Sequence, residues 1–254
     1  MTADSPTAPT STLFVASVTL EQRAVNSGGS VAATVTLNEA PPDATVVRLA
    51  SDSPAAVVAA SVIVPAGSRT AHFQVLTEPV NEDVFAAITA TLNSRETRAR
   101  LSLWSFAPNS FWYDSEVGEW IGGGMTGHFT PATASMIAGC GGNSVSFQAR
   151  RAGEIWSADV VMPDGVPVQP GTWFFHDTGS RPFFQLRGPG RSCQARGEFT
   201  IVTADLASTG MVKSLVVRFK QACENTSPTI QGEIRLTNPP VTTSGDFTPS
   251  HCLR

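Results

Sequence analysis

Hydrophobic residues recur at every second position in one short run after another along this chain. Val31, Ala33, Val35 and Leu37 alternate with Ala32, Thr34 and Thr36. A period of two places one set of side chains on a single face, as in a half-buried β-strand. Asn26-Ser27-Gly28-Gly29 before this run and Pro41-Pro42-Asp43 after it are turn signals. Val47 and Leu49 then precede a loop at Ser51-Asp52-Ser53-Pro54, and Val62 and Val64 lead into Pro65-Ala66-Gly67. Ala71, Phe73 and Val75 oppose His72 and Gln74. Ile88, Ala90 and Leu92 end at Asn93-Ser94, and Ala99, Leu101 and Leu103 carry Arg98, Arg100 and Ser102 on the other side. Short strands with turn signals roughly every 8–12 residues are what a β-sandwich requires. Residues 13–104 are therefore expected to form one, preceded by a linker-like stretch at 1–12.

Ser105 to Asn109, with Pro108, reads as a boundary, and the alternation resumes beyond it. Val145, Phe147 and Ala149 form one run; Trp156, Ala158, Val160 and Met162 form another. Thr172-Trp173-Phe174-Phe175 follows the Pro170-Gly171 turn, and Phe183, Phe184 and Leu186 end at Gly188-Pro189-Gly190. The densest stretch runs from Gly190 to Thr237. Phe199 and Ile201, then Leu215, Val217 and Phe219, then Ile230, Ile234 and Leu236 supply three inward faces there. No helical period extends over ten or more residues. The fold class expected is all-β: two tandem β-sandwich domains, the second (105–254) larger and jelly-roll-like.

Composition narrows the compartment. Charged residues make up 15% of the chain and the net charge is −4. Lys213 and Lys220 are its lysines. Nothing in this balance suggests a nucleic-acid partner or an anionic membrane surface, and no apolar run approaches the ~18 residues of a membrane helix. The start, MTADSPTAPTSTL, has no apolar leader core, so secretion would imply a leader already removed. The four cysteines, Cys140, Cys193, Cys223 and Cys252, all lie in the second segment without a Cys-x-x-Cys pair. An even count in a low-charge β-rich chain favours disulfides and an oxidising compartment; four reduced, buried cysteines are the alternative.

Candidate chemistry gathers after the boundary. Trp112, Tyr113, Trp120 and Trp173 are candidate ligand-binding aromatics, a platform on which a sugar face could stack. Asp114, Glu116 and Glu119 lie among the first three of them. Those carboxylates have three readings: solvated loop acids, a calcium site built from hard oxygen ligands, or partners for sugar hydroxyls. Glycoside hydrolysis would require two carboxylates set about 5–9 Å apart across a cleft. Gly122-Gly123-Gly124 permits a wide loop or close backbone approach; without a following helix it is not a phosphate loop. His72, His128, His176 and His251 are scattered. His176-Asp177 could act as a base and its orienting acid, but no Gly-x-Ser-x-Gly elbow accompanies it, and no catalytic residue is assigned. Arg150, Arg151, Arg181, Arg187, Arg191 and Arg196 either line an anion-binding surface or protect sandwich edges, and edge protection is the simpler expectation.

Two resemblances bear on these readings. The run GGSVAATVTLNEAPPDATVVRLASDSPAAVVAASVIVPAGSRTAHFQV resembles the bacterial immunoglobulin-like domains that repeat in surface proteins and adhesins, over about residues 13–104. Such domains are usually spacers. In the second segment the matching residues are Glu119-Trp120-Ile121-Gly122, Gly190-Arg191-Ser192-Cys193, and the run Phe219-x-x-x-Cys223-Glu224-x-x-x-Pro228-x-x-x-Gly232-Glu233-Ile234-Arg235. These resemble a disulfide-containing domain of secreted multidomain actinobacterial and myxobacterial proteins, over about residues 110–238. That domain has no established activity. The resemblance implies that Cys193 pairs with Cys223; Cys140 and Cys252 fall outside it, and their pairing would follow only by elimination. The expectation is a secreted or cell-surface, non-enzymatic module recognising a glycan, cell-wall polymer or surface protein. No cofactor is assigned to it, and calcium is the one candidate. A structural stalk or assembly subunit is the first alternative, and a hydrolase using the acids at 114–119 the second.

Overall fold

A computed structural model describes residues 12–139, 143–176, 181–207 and 211–240. The chain divides into two units, Met1–Ser105 and Phe106–Arg254. Both are built from β-strands, so the chain is all-β with tandem β-sandwiches. Among the described residues no helix is long and apolar enough to cross a membrane.

The first unit contains β1 (Val15–Leu20), β2 (Ala24–Asn26), β3 (Ser30–Leu37), β4 (Thr45–Ser51), β5 (Ala56–Val58), β6 (Ser61–Val64), β7 (Thr70–Thr77), β8 (Val84–Leu92) and β9 (Arg95–Trp104). One sheet has the order β1-β3-β7-β5 and the other β2-β9-β8-β4-β6. Their inner faces share a core that includes Val31, Val35, Leu37, Val47, Ile88 and Leu101. The alternation read along Val31–Leu37 survives intact in β3, where all four apolar positions are buried. Full burial of such a side chain stabilises the fold by about 1.5–3 kcal/mol. β1, β2 and β5 carry no clean signal in the sequence. β2 and β5 are three residues long. In β1 the register shifts between Val15 and Ser17, so its buried residues, Val15 and Val18, fall three apart rather than two.

The second unit contains β10 (Ser110–Ser115), β11 (Thr126–Phe129), β12 (Ser135–Gly139), β13 (Ser144–Arg151), β14 (Glu154–Val161), β15 (Gly171–Phe175), β16 (Phe183–Arg187), β17 (Ala195–Leu206), β18 (Val212–Cys223) and β19 (Thr229–Thr237). A six-stranded sheet, β11-β10-β19-β18-β17-β15, faces a four-stranded one, β12-β13-β14-β16. The core between them is aromatic. Phe184 and Phe219, one from each sheet, stack at 4.8 Å, and Tyr113 lies 4.3 Å from Trp156 across the same divide.

Cys193 and Cys223 form a disulfide with a Cα–Cα distance of 5.6 Å. Cys223 ends β18 opposite Ala195, so the bond ties the approach of β17 to its neighbour's end. This is the pairing that the second resemblance implied. Cys140 and Cys252 lie outside the described residues.

Candidate functional site

β10 decides where most of the candidate residues go. Successive side chains of a strand point to opposite faces. Phe111 and Tyr113 therefore enter the core, while Trp112 and Asp114 take the outer face of the six-stranded sheet. The run of aromatics at 111–113 is thus split between two faces. Trp112 is also buried, at 6% exposure, between Glu233 and His128 in register. Trp173 sits on β15, separated from β10 by three strands, half-buried against the core. The expected platform of Trp112, Tyr113, Trp120 and Trp173 is not assembled. Strand alternation and sheet order disperse it, and Trp120, 57% exposed, is the one that presents itself to solvent.

The carboxylates are likewise dispersed. Glu119 is buried at 3% exposure. Its Oε1 accepts the Ile121 backbone N–H at 2.8 Å. Its Oε2 accepts the Gly122 N–H at 2.6 Å and the Ser115 hydroxyl at 2.8 Å. Ser115 Oγ in turn accepts the Gly124 N–H at 3.1 Å. Gly122 makes the cage possible: a Cβ there would lie 2.4 Å from Ser115 Cβ. Glu116 accepts the Thr229 N–H at 2.7 Å and pins the loop to β19. Asp114 is buried on the sheet's outer face. The three acids do not converge, and among the described residues no group of three His, Cys, Asp or Glu could hold a metal ion. The structure does not gather these three acids into one cluster: two of them fasten the loop after β10.

What that fastened loop builds is a cleft of about 270 Å³, where it meets the start of β14 and the loop after β16. Tyr113, Gly123, Met125, Glu154, Trp156 and Arg191 line it. Arg191 donates from Nη1 to the Trp120 carbonyl at 3.1 Å, and its guanidinium lies 5.5 Å from the Trp120 ring centroid. The exposed indole is thereby held against Arg191, one of the residues that line the cleft. Tyr113 reaches the cleft because its cross-strand neighbour is Gly127, where a Cβ would stand 2.4 Å from the ring. Burial pushes the Tyr113 phenol up from 10.0 to about 12, and the Glu154 carboxylate adds to the effect. Like any phenol it is protonated at neutral pH and can serve as a donor, and burial extends that range upward. Trp156 is 3% exposed, and its indole N–H has no hydrogen-bond partner.

Glu154 is the carboxylate among these lining residues, and Arg151 pairs with it at 3.1 Å. A glycosidase needs a second acid facing it across about 5–9 Å. Of the loop's two acids, Glu119 has both oxygens occupied by protein donors, and Glu116 accepts the Thr229 N–H. The arrangement suits recognition: an aromatic face, one cation, one carboxylate and a neutral phenol around a small cleft.

Glu154 and Trp156 had no signal of their own. Trp156 looks like any core residue of an alternating strand, and only the packing of one sheet on the other brings it beside Tyr113. Arg191 appeared among the six arginines, which the structure separates into local contacts. Arg187 pairs with Asp159, Arg181 with Asp164, and Arg151 with Glu154, while Arg150 donates to Gln148. His72 faces outward and bonds Thr34. His176 is exposed, and its suggested partner Asp177 lies outside the described residues, as does His251.

No family model and no curated protein matches this chain. Among solved structures it is similar to the D0–D1 domain of intimin, at 12% identity and a TM-score of 0.33. The alignment covers 88% of this chain and 99% of that one. The fold assignment rests on the chain's own strands and sheets.

Proposed function

We propose that this chain is an extracellular, non-enzymatic binding module whose second unit recognises an uncharged glycan of a cell wall or surface. Its first unit is an immunoglobulin-like spacer. The carrying observation is the Trp120 indole, exposed and held by Arg191, which lines a cleft together with Tyr113, Glu154 and Trp156. Aromatic faces stack on the C–H face of a pyranose, and neighbouring donors and acceptors take its hydroxyls. The disulfide supports an oxidising compartment. The family suggested by the second segment's motifs belongs to this reading, as a source of location rather than chemistry.

The test is calorimetric titration of the whole chain with neutral bacterial and plant wall oligosaccharides. Saturable binding that Trp120→Ala abolishes while the melting midpoint stays unchanged supports the reading. Binding indifferent to Trp120→Ala overturns it, as does none across the panel.

One observation favours an assembly subunit instead. Val46 and Ile63 are direct cross-strand partners on β4 and β6, and they are 55% and 59% exposed. Val57 and Leu76 form a second such pair on β5 and β7, 44% and 54% exposed. Exposed apolar patches commonly mark contacts between proteins. Sedimentation of Ile63→Lys against the parent decides it: a shift from oligomer to monomer favours assembly.

A further inference from the structure

A second cleft lies on the outer face of the six-stranded sheet, away from the loop after β10. Phe174, Glu198 and Lys220 are consecutive in register across β15, β17 and β18, so their side chains stand abreast on that face. Together with Arg196, Ser227 and Thr229, they line a cavity of about 370 Å³. We propose that it is a binding site for a carboxylate-bearing sugar chain, a hexuronate.

Three observations carry the assignment. Phe174 is 65% exposed on a strand whose neighbouring core positions are filled, so its ring is a surface platform rather than failed core packing. Glu198 and Lys220 face each other directly, yet among the described residues neither forms an ion pair, and Arg196 meets only the Thr226 carbonyl at 2.9 Å. Two cations and one carboxylate are thus available to a ligand. The chain as a whole carries −4, so this local excess of positive charge runs against its average. A uronate matches each part. Its carboxylate meets Lys220 and Arg196 in charge-assisted hydrogen bonds. Its ring hydroxyls donate to Glu198, and its apolar ring face lies on Phe174. A neutral sugar leaves the cations unanswered, and an aliphatic acid leaves the ring unused.

The experiment uses the whole chain at low salt, titrated calorimetrically with oligogalacturonate and oligomannuronate tetramers. The carboxyl-reduced neutral tetramers and hexaglutamate are the comparisons. At least one uronate tetramer is expected to bind while its reduced form does not. Lys220→Met and Phe174→Ala should each weaken binding by about tenfold or more, as loss of a charge-assisted or stacking contact does. Lys220→Arg should retain it. Both residues are exposed, and unchanged melting midpoints establish that the variants are folded. Trp120→Ala should leave uronate binding intact, which separates this site from the neutral-glycan cleft. The proposal is overturned if no uronate binds, if Lys220→Met binds as well as the parent, or if Trp120→Ala abolishes binding. Equal affinity for hexaglutamate also overturns it, in favour of an acidic peptide.

Discussion

Gln221 supplies from one sheet the backbone partners that Leu186 lacks in the other. Its Oε1 accepts the Leu186 N–H at 2.8 Å, and its Nε2 donates to the Leu186 carbonyl at 3.2 Å. Leu186 is on β16, the edge of the four-stranded sheet, and Gln221 is on β18 in the six-stranded one. An amide buried at 0% exposure thus mimics a strand neighbour and fixes the spacing of the two layers.

Replacing Gln221 with Leu is therefore a larger change than its similar volume suggests. It strands a buried N–H and a buried carbonyl together, at about 1–3 kcal/mol for each unsatisfied group. The expected outcome is a loss of about 2–4 kcal/mol in urea unfolding with an unchanged m-value. A loss below half a kcal/mol would mean that the amide is not what joins the sheets.

The Cys193–Cys223 bond closes a loop with a sequence separation of 30. Chain entropy alone assigns such a closure about 3–4 kcal/mol of stabilisation. The double substitution Cys193→Ala and Cys223→Ala should lower stability by about that amount in denaturant unfolding. Addition of a reductant to the double variant should then cause a smaller drop in melting midpoint than in the parent.

Glu119 fastens the loop that carries Trp120. Glu119→Ala leaves the Ile121 and Gly122 N–H groups without their acceptor and should lose about 2–4 kcal/mol. Glu119→Gln keeps the size but places an amide N–H₂ among donors, and an intermediate loss is expected. Because Arg191 reaches the Trp120 carbonyl, loosening the loop should also weaken neutral-glycan binding in both variants. Calcium should not raise the parent's melting midpoint. A calcium-dependent rise that disappears in Glu119→Gln would restore the metal reading of these acids.

How much of this was legible beforehand depended on whether a residue's role is local. Val31 to Leu37 declare their strand because each side chain's environment follows from its neighbours two positions away. Trp112 and Tyr113 do not declare their fates: both look like site aromatics, and a one-residue difference in phase sends them to opposite faces of β10. Glu119 looks like a solvated loop acid because its donors are backbone groups, which every residue possesses. The cleft beside Trp120 joins residues from positions 113 to 191, and no spacing rule connects Glu154 or Arg191 to Tyr113 before the two sheets are packed together. The glycines were the available hint. Gly122 and Gly127 stand where a larger residue would collide with Ser115 and with the Tyr113 ring.

Tyr113 is the chain's one tyrosine, so its ionisation can be followed without interference. Its phenol is held up at about 12 in the folded protein, first by burial and then by the Glu154 carboxylate, against 10.0 for an ordinary phenol. Spectrophotometric titration of the native chain should therefore show no phenolate absorbance until well above the ordinary range, whereas the denatured chain titrates normally. The sign of the linked stability follows. Between the unfolded and folded values the unfolded state releases the proton and the folded state retains it. The contribution is thus fully present below pH 10.0 and is lost as pH rises towards about 12. Glu154→Gln removes the second cause and leaves the first. It should lower the native phenol's midpoint without returning it to the ordinary value. A native titration that coincides with the denatured one would show that the ring is open to water, and would remove Tyr113 from the cleft's wall.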